Sequence, residues 1–287
     1  MGLVYIAPWL LGFLLLQLYP FVSSFIYSFT DYKFFNEPSF VGLKNYIRLF
    51  KLDPEFWGSL KVTLLYTVIT VPGKLTMALF IATLLNRNVK GIGAIRTIYY
   101  LPSLFGGSVA VAILWKILFM SDGAINNILS SLHLPTVQWL GNGKSAVVTI
   151  CMLEIWQFGS SMVMFLAALK QVPASLYEAT SLDGAGSVKK FFSITLPQIT
   201  PIIFFNLIMQ TITALQNFTS AFVVTGGGPN KATYVLGMKL YTDAFGYYKM
   251  GYACATSWVI FAMVMVVTLL LFRFSSGKIY YEDGGDF

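Results

Sequence analysis

Charge is scarce in this 287-residue chain: Asp, Glu, Lys and Arg make up 11% of it, against about a quarter in a soluble globular domain. So few charges cannot cover a water-facing surface, which excludes a soluble globular protein. Reactive side chains are few as well. The single histidine, His133, has no acid or cysteine at ligand spacing, and the two cysteines, Cys151 and Cys254, lie in apolar runs where a thiol acts as a small hydrophobe. A metal site and a disulfide framework are not expected, and no nucleophile, base and orienter set is present, so no catalytic residue is assigned. Gly143-Lys144-Ser145 has the end of a phosphate-binding loop, but Gln138 stands where that pattern needs its first glycine. A net charge of +7 is ordinary for a chain of this kind and does not point to nucleic acid.

Apolar residues are what the chain has in excess. They form 56% of it, with a mean hydropathy of +0.70, and fall into six runs near 3–29, 57–85, 99–120, 145–169, 199–223 and 251–274. A hydrocarbon core of about 30 Å needs roughly 20 helical residues. The runs lack the alternation of an outer-membrane strand, so helices must satisfy the backbone. The expected fold is an all-α polytopic membrane protein, one transmembrane domain over 1–287 with six spans. Trp57, Tyr99, Tyr100, Trp139, Tyr247 and Tyr248 sit near run ends, where interfacial aromatics belong. The first run lacks a basic leader and a small-residue cleavage site, so it is read as a retained span. Both termini are expected on the cytoplasmic side. The loop at 86–98, with three bases and no acid, favours that orientation, although the wider count, eight bases against nine, does not decide it.

One polar segment interrupts this pattern. EATSLDGAGSVKKFFSITLP (178–197) lies between the fourth and fifth runs. Pro173 can start a helix running through Asp183, Gly184 and Gly186 can end it, and Ser187 can cap a second helix. Val188, Phe191 and Phe192 then share one face at i, i+3 and i+4, and Pro197 closes the unit. Such a hairpin is too short and polar to span. It can rest on lipid as an interfacial helix or dock a soluble partner.

Glu178-Ala179-Thr180, Asp183-Gly184-Ala185, Phe192, Ile194, Leu196 and Pro197 resemble the EAA motif of permease subunits of binding-protein-dependent ATP-binding-cassette importers. Thr180 departs from it, standing where a second alanine is usual. TGGGPNKATYVL (225–236), FVGLKNYIRLF (40–50) and YLP (100–102) resemble the carbohydrate-importing branch. The resemblance implies that the segment 170–198 is a cytoplasmic coupling helix–turn–helix seated in an ATPase. Glu178, Ala179, Asp183, Gly184, Leu196 and Pro197 would be its anchors, and Val188, Phe191 and Phe192 its packing surface. It also implies a bacterial cytoplasmic membrane, a second related permease, two ATPase copies, an extracytoplasmic binding protein and a carbohydrate cargo, an oligosaccharide being expected. No cofactor is expected in this chain; Mg-ATP would belong to the partner, and the chain itself would not be an enzyme.

Polar residues within the runs are the candidates for a substrate path. Asn206, Gln210, Thr213, Asn217 and Ser220 recur at helical spacing, as do Glu154, Gln157 and Ser161. Amides are costly in hydrocarbon, so these faces should look at protein or water; interhelical hydrogen bonding alone would also account for them. Glu154 is the one acid deep in a span, with Lys74 and Lys116 as the available partners. The alternative to an ATP-driven permease is an ion-coupled secondary transporter of a small polar solute, but internal repeats and several buried carboxylates are missing.

Overall fold

The computed structural model describes residues 2–34, 36–87, 90–182 and 184–275, without the side chains of residues 2–4 and 275. Among these the chain is helical, apart from two isolated bridges, Thr30 to Phe40 and Lys33 to Asn36. Three helices are long and apolar enough to cross a membrane by themselves: α1 (Tyr5–Ser28), α3 (Pro54–Leu85) and α13 (Met250–Phe274). The short α2 (Lys44–Lys51) precedes α3. Three bent pairs bring the number of spans to as many as six, counting each pair as one span. They are α4 (Ile92–Leu104) with α5 (Val109–Leu118), α7 (Gly143–Trp156) with α8 (Gly159–Gln171), and α10 (Ser187–Gln198) with α11 (Thr200–Leu215). The remaining α-helices are α6 (Ala124–Ser131), α9 (Ala174–Leu182) and α12 (Leu236–Tyr241), and π-helical turns cover Ala221–Thr225 and Thr242–Gly246.

The starts of the helices follow local chemistry. Asp53 caps α3, its Oδ1 accepting from the N–H groups of Glu55 and Phe56 at 2.9 and 3.2 Å, and Pro54 occupies the first turn where no N–H is needed. Asn142 caps α7 through the N–H of Lys144 at 2.9 Å.

Helix α3 is the interior helix, packed against α7, α8 and α11, whereas α1 lies outside against α13. Tyr66, Ala78 and Ala82 of α3 meet Ile150, Met162 and Phe165 in the main apolar core. A second cluster joins Leu49, Phe56, Leu215, Leu236, Tyr252 and Ile260 at the end of the bundle away from the 174–198 hairpin.

Two expected spans are corrected. Residues 99–120 do not make one helix: Pro102 lies in the last turn of α4, Gly107 takes φ +73°, and α5 leaves at 101° to α4. The fifth run also does not reach 223, because α11 ends at Leu215.

Candidate functional site

Two of these breaks meet the far end of α11. A cavity of about 420 Å³ is walled by Gly106, Gly107 and Ser108 from the α4–α5 break, by Gln157 from the α7–α8 break, and by Gln216, Asn217 and Thr219 after α11. Lys74, Ser103, Glu154, Ser160, Gln210, Thr213 and Ser220 complete its polar lining. Broken backbone at membrane depth is tolerated where it lines a wet cavity, because the freed N–H and C=O groups then have water. The breaks and the polar side chains therefore serve the same space.

Glu154 pairs with Lys74, its Oε1 accepting from Nζ at 2.6 Å. The two side chains are 19% and 8% exposed, so the carboxylate is the member turned more toward the cavity. Tyr66 donates to Glu154 Oε2 at 3.5 Å. Gln210 Nε2 donates to Ser161 Oγ at 3.3 Å, tying α11 to α8. Ser220 Oγ donates to Asn217 Oδ1 at 2.8 Å, and Asn217 Nδ2 has no acceptor among the described residues. The wall thus offers amides, hydroxyls and one neutralised ion pair, a set suited to a polar, uncharged solute.

Of the expected path residues, Glu154, Gln157, Gln210, Thr213 and Asn217 line this cavity. Asn206 does not, which corrects the five-residue stripe. It is 2% exposed and donates to the Ile202 carbonyl of its own helix at 2.9 Å, one turn away from the cavity on a covered stretch of α11.

At one end of the bundle the hairpin 174–198 is folded. Gly184 takes φ +70° just beyond α9, and the N–H of Ala185 closes the turn on the Thr180 carbonyl at 3.1 Å. Two side-chain links brace it: Tyr177 hydroxyl with Thr195 Oγ1 at 2.8 Å, and Lys190 Nζ donating to Ser181 Oγ at 2.6 Å. Glu178, Ala179, Val188 and Phe192 are exposed; Phe191, Leu196 and Pro197 are half-buried; Asp183 lies outside the described residues. Leu182, not singled out from the sequence, is 90% exposed beside them. The cap of α10 is Gly186 rather than Ser187. Nor does Pro197 close the unit. The turn before it, Phe191–Thr195, is widened to a π-helix, which accommodates the missing N–H, and the chain bends by 67° only at Ile199.

At the opposite end is an ion cluster that the sequence reading missed. Lys239, 2% exposed, binds Asp53 at 2.7 Å and Asp243 at 2.9 Å, and the Tyr252 hydroxyl donates to Asp53 at 2.5 Å. Burial works against ionised Asp53, but the Lys239 and Tyr252 hydrogen bonds outweigh it and hold the carboxyl below its usual range. Burial likewise disfavours charged Lys239, and the two carboxylates more than compensate, holding it above the usual range. The signal was present as Asp-Pro before the second run and as Lys and Asp four residues apart. Glu55 also pairs with Lys231, fastening the 225–236 loop to α3.

A polytopic helical bundle with a broken-helix polar cavity and a folded surface hairpin defines a membrane transport component. The family model for the inner membrane component of binding-protein-dependent transport systems matches residues 63–276, and the chain belongs to that family. It is 46% identical over 285 residues to the "Probable ABC transporter permease protein YesP" of Bacillus subtilis (strain 168), covering 98% of this chain and 92% of that one. It is 38% identical over 235 residues to the sulfoquinovosyl glycerol transport system permease protein SmoG of Agrobacterium fabrum, covering 82% and 76%. With the trehalose/maltose transport system permease protein MalF of Thermococcus litoralis the identity is 34%, over 97% and 94% of the two chains. A bacterial alginate ABC transporter, solved with an alginate pentasaccharide-bound periplasmic protein, contains a chain with the same fold: TM-score 0.82 at 22% identity, covering 95% of this chain and 92% of that one.

Proposed function

We propose that this chain forms one half of the pathway by which an ATP-driven importer moves a carbohydrate across the cytoplasmic membrane. The observation that carries the reading is the meeting of the α4–α5 and α7–α8 breaks with the end of α11 around hydroxyl and amide side chains. Sugar hydroxyls donate and accept; Gln157, Gln210 and Asn217 can do both toward the cavity, and Thr213, whose hydroxyl donates to the Met209 carbonyl at 2.9 Å, can accept. The names of the relatives, which include sugar-derivative and disaccharide permeases, support a carbohydrate cargo.

In this reading the chain pairs with a second related permease, accepts solute from an extracytoplasmic binding protein and is driven by two cytoplasmic ATPase subunits. Mg-ATP and its hydrolysis belong to those ATPases, and this chain is non-catalytic. The hairpin, with Glu178, Ala179 and Gly184 in its described residues, is the seat for the ATPase in this reading, with the hairpin and the termini in the cytoplasm. Val188, Phe192 and Leu182 are apolar and exposed at its surface, and burying each is worth about 1.5–3 kcal/mol. Helix α10 runs from the hairpin directly into α11, which carries Gln210 and Thr213, so displacement of the hairpin moves one wall of the cavity.

The reading is tested by uptake into vesicles holding the complete assembly. Accumulation that needs ATP and persists with a protonophore supports it; accumulation driven by a proton or sodium gradient without ATP would establish the ion-coupled alternative.

A further inference from the structure

On the face opposite the hairpin, next to the start of α3, two depressions adjoin. One, of about 290 Å³, is lined by Lys33, Lys44, Arg48 and Lys249 with Asp31 as its single acid. The other is a shallow groove of about 640 Å³ lined by Leu43, Ile47 and Leu52. They share Val41, Lys44 and Arg48 as their common wall. Among the described residues none of the four cations enters an ion pair, and Asp31 is turned to Ser39, accepting from its N–H at 3.0 Å and its hydroxyl at 2.8 Å. The basic pocket therefore keeps an excess of positive charge directly beside exposed hydrocarbon.

Helix α2 explains the adjacency. Leu49 is fully buried and anchors it, while Ile47 and the flanking Leu43 and Leu52 stay exposed on one side and Lys44 and Arg48 rim the pocket. The helix ends two residues before α3 enters its span, and Trp57 donates to the Phe50 carbonyl at 3.0 Å, a Trp placed as interfacial aromatics are. An amphipathic, basic helix at that depth lies in the headgroup region.

We propose that this paired site binds an anionic phospholipid, with the phosphate among Lys33, Lys44, Arg48 and Lys249 and an acyl chain along Leu43, Ile47 and Leu52. A soluble acid would use the pocket and leave the groove bare; a neutral lipid would use the groove and leave the cations without a counter-ion. An anionic amphiphile satisfies both, and the site is independent of the transported solute.

The test is native mass spectrometry of the intact assembly equilibrated with equal amounts of phosphatidylglycerol and phosphatidylcholine. Phosphatidylglycerol should be retained in preference. Lys44→Ala with Arg48→Ala should weaken its retention about fivefold for each cation removed, and Lys33→Ala with Lys44→Ala, which leaves Arg48 against the Tyr252 ring, should do the same. Ile47→Gln should weaken it as well, whereas Lys144→Ala, an exposed base outside the site, should not. Equal retention of the two lipids, or equal loss in Lys144→Ala, would overturn the proposal. Displacement of phosphatidylglycerol by excess galacturonate, or by added binding protein, would overturn it in favour of a soluble acid or a docked protein.

Discussion

Glu154→Gln removes the charge that Lys74 Nζ meets at 2.6 Å while leaving an acceptor of nearly the same shape in place. Lys74 is only 8% exposed, so its ammonium would be left buried without a counter-ion. Breaking a buried pair from one side typically costs about 3–5 kcal/mol, because desolvation of the survivor is no longer offset. The cost here should fall toward the lower end, since Gln still accepts one hydrogen bond and the cavity admits water. Lys74→Met should cost a similar amount by stranding Glu154. The pair Lys74→Met with Glu154→Gln removes both charges and should restore most of the stability, a recovery on the order of 3 kcal/mol relative to either single variant. Thermal unfolding of the purified protein, followed by intrinsic tryptophan fluorescence, gives the order of midpoints: wild type and double variant together, both single variants below. Equal midpoints for all four proteins would refute the buried-pair reasoning. Transport separates structure from function: a double variant that is stable but slow would show that the pair also acts on solute.

Gly184→Ala should leave the protein inserted but strain the left-handed turn by about 1–2 kcal/mol, lowering substrate-stimulated ATP turnover of the assembly. Gly184→Pro, which cannot adopt φ +70°, should lower it further, and unchanged turnover in both would contradict the coupling role. The Asp53 carboxyl is held below its usual range in the fold, so its contribution is present above about pH 4 and is lost as the pH falls through the lower folded value. Lys239 is held above its range, so its contribution persists until about pH 10 and is lost above it. Neither of these two groups changes its contribution between about pH 5 and 9, whereas Asp243, whose carboxyl burial pushes up, offsets part of the Asp53 acid limb. Asp53→Asn keeps the helix cap, should cost about 1.5–3 kcal/mol, and should flatten the acid limb; an unchanged acid limb would argue against the cluster.

Spans are legible in sequence because a hydrocarbon core imposes a length on every apolar run, and α1, α3 and α13 begin and end within a few residues of their expected limits. The hairpin is legible for a different reason. Gly184 and the Val188, Phe191, Phe192 spacing are local signals, and local signals decide local structure. Breaks are harder to read. Pro102, Gly106 and Gly107 mark the break, but they sit inside a run long enough to span, and length alone let the 101° turn between α4 and α5 be read through. The cavity wall contributed by Ser103, Gly106, Gly107 and Ser108 was missed with it. Periodicity placed Gln210, Thr213 and Asn217 together but extended the stripe to Asn206, because spacing reports a shared face and not where a neighbouring helix covers it. The Asp53, Lys239 and Asp243 cluster joins residues nearly 200 positions apart, a distance no local pattern spans.

The most direct measurement is thiol labelling in vesicles holding the complete assembly, in a Cys151→Ser, Cys254→Ser background. Cysteine at Thr213, on the cavity wall, should react with a small hydrophilic thiol reagent and be protected when loaded binding protein and ATP deliver solute. Cysteine at Asn206, sealed within the bundle, should stay unreacted throughout. Equal labelling of the two positions, or labelling at Thr213 that solute delivery leaves untouched, would show that the solute does not pass through this cavity.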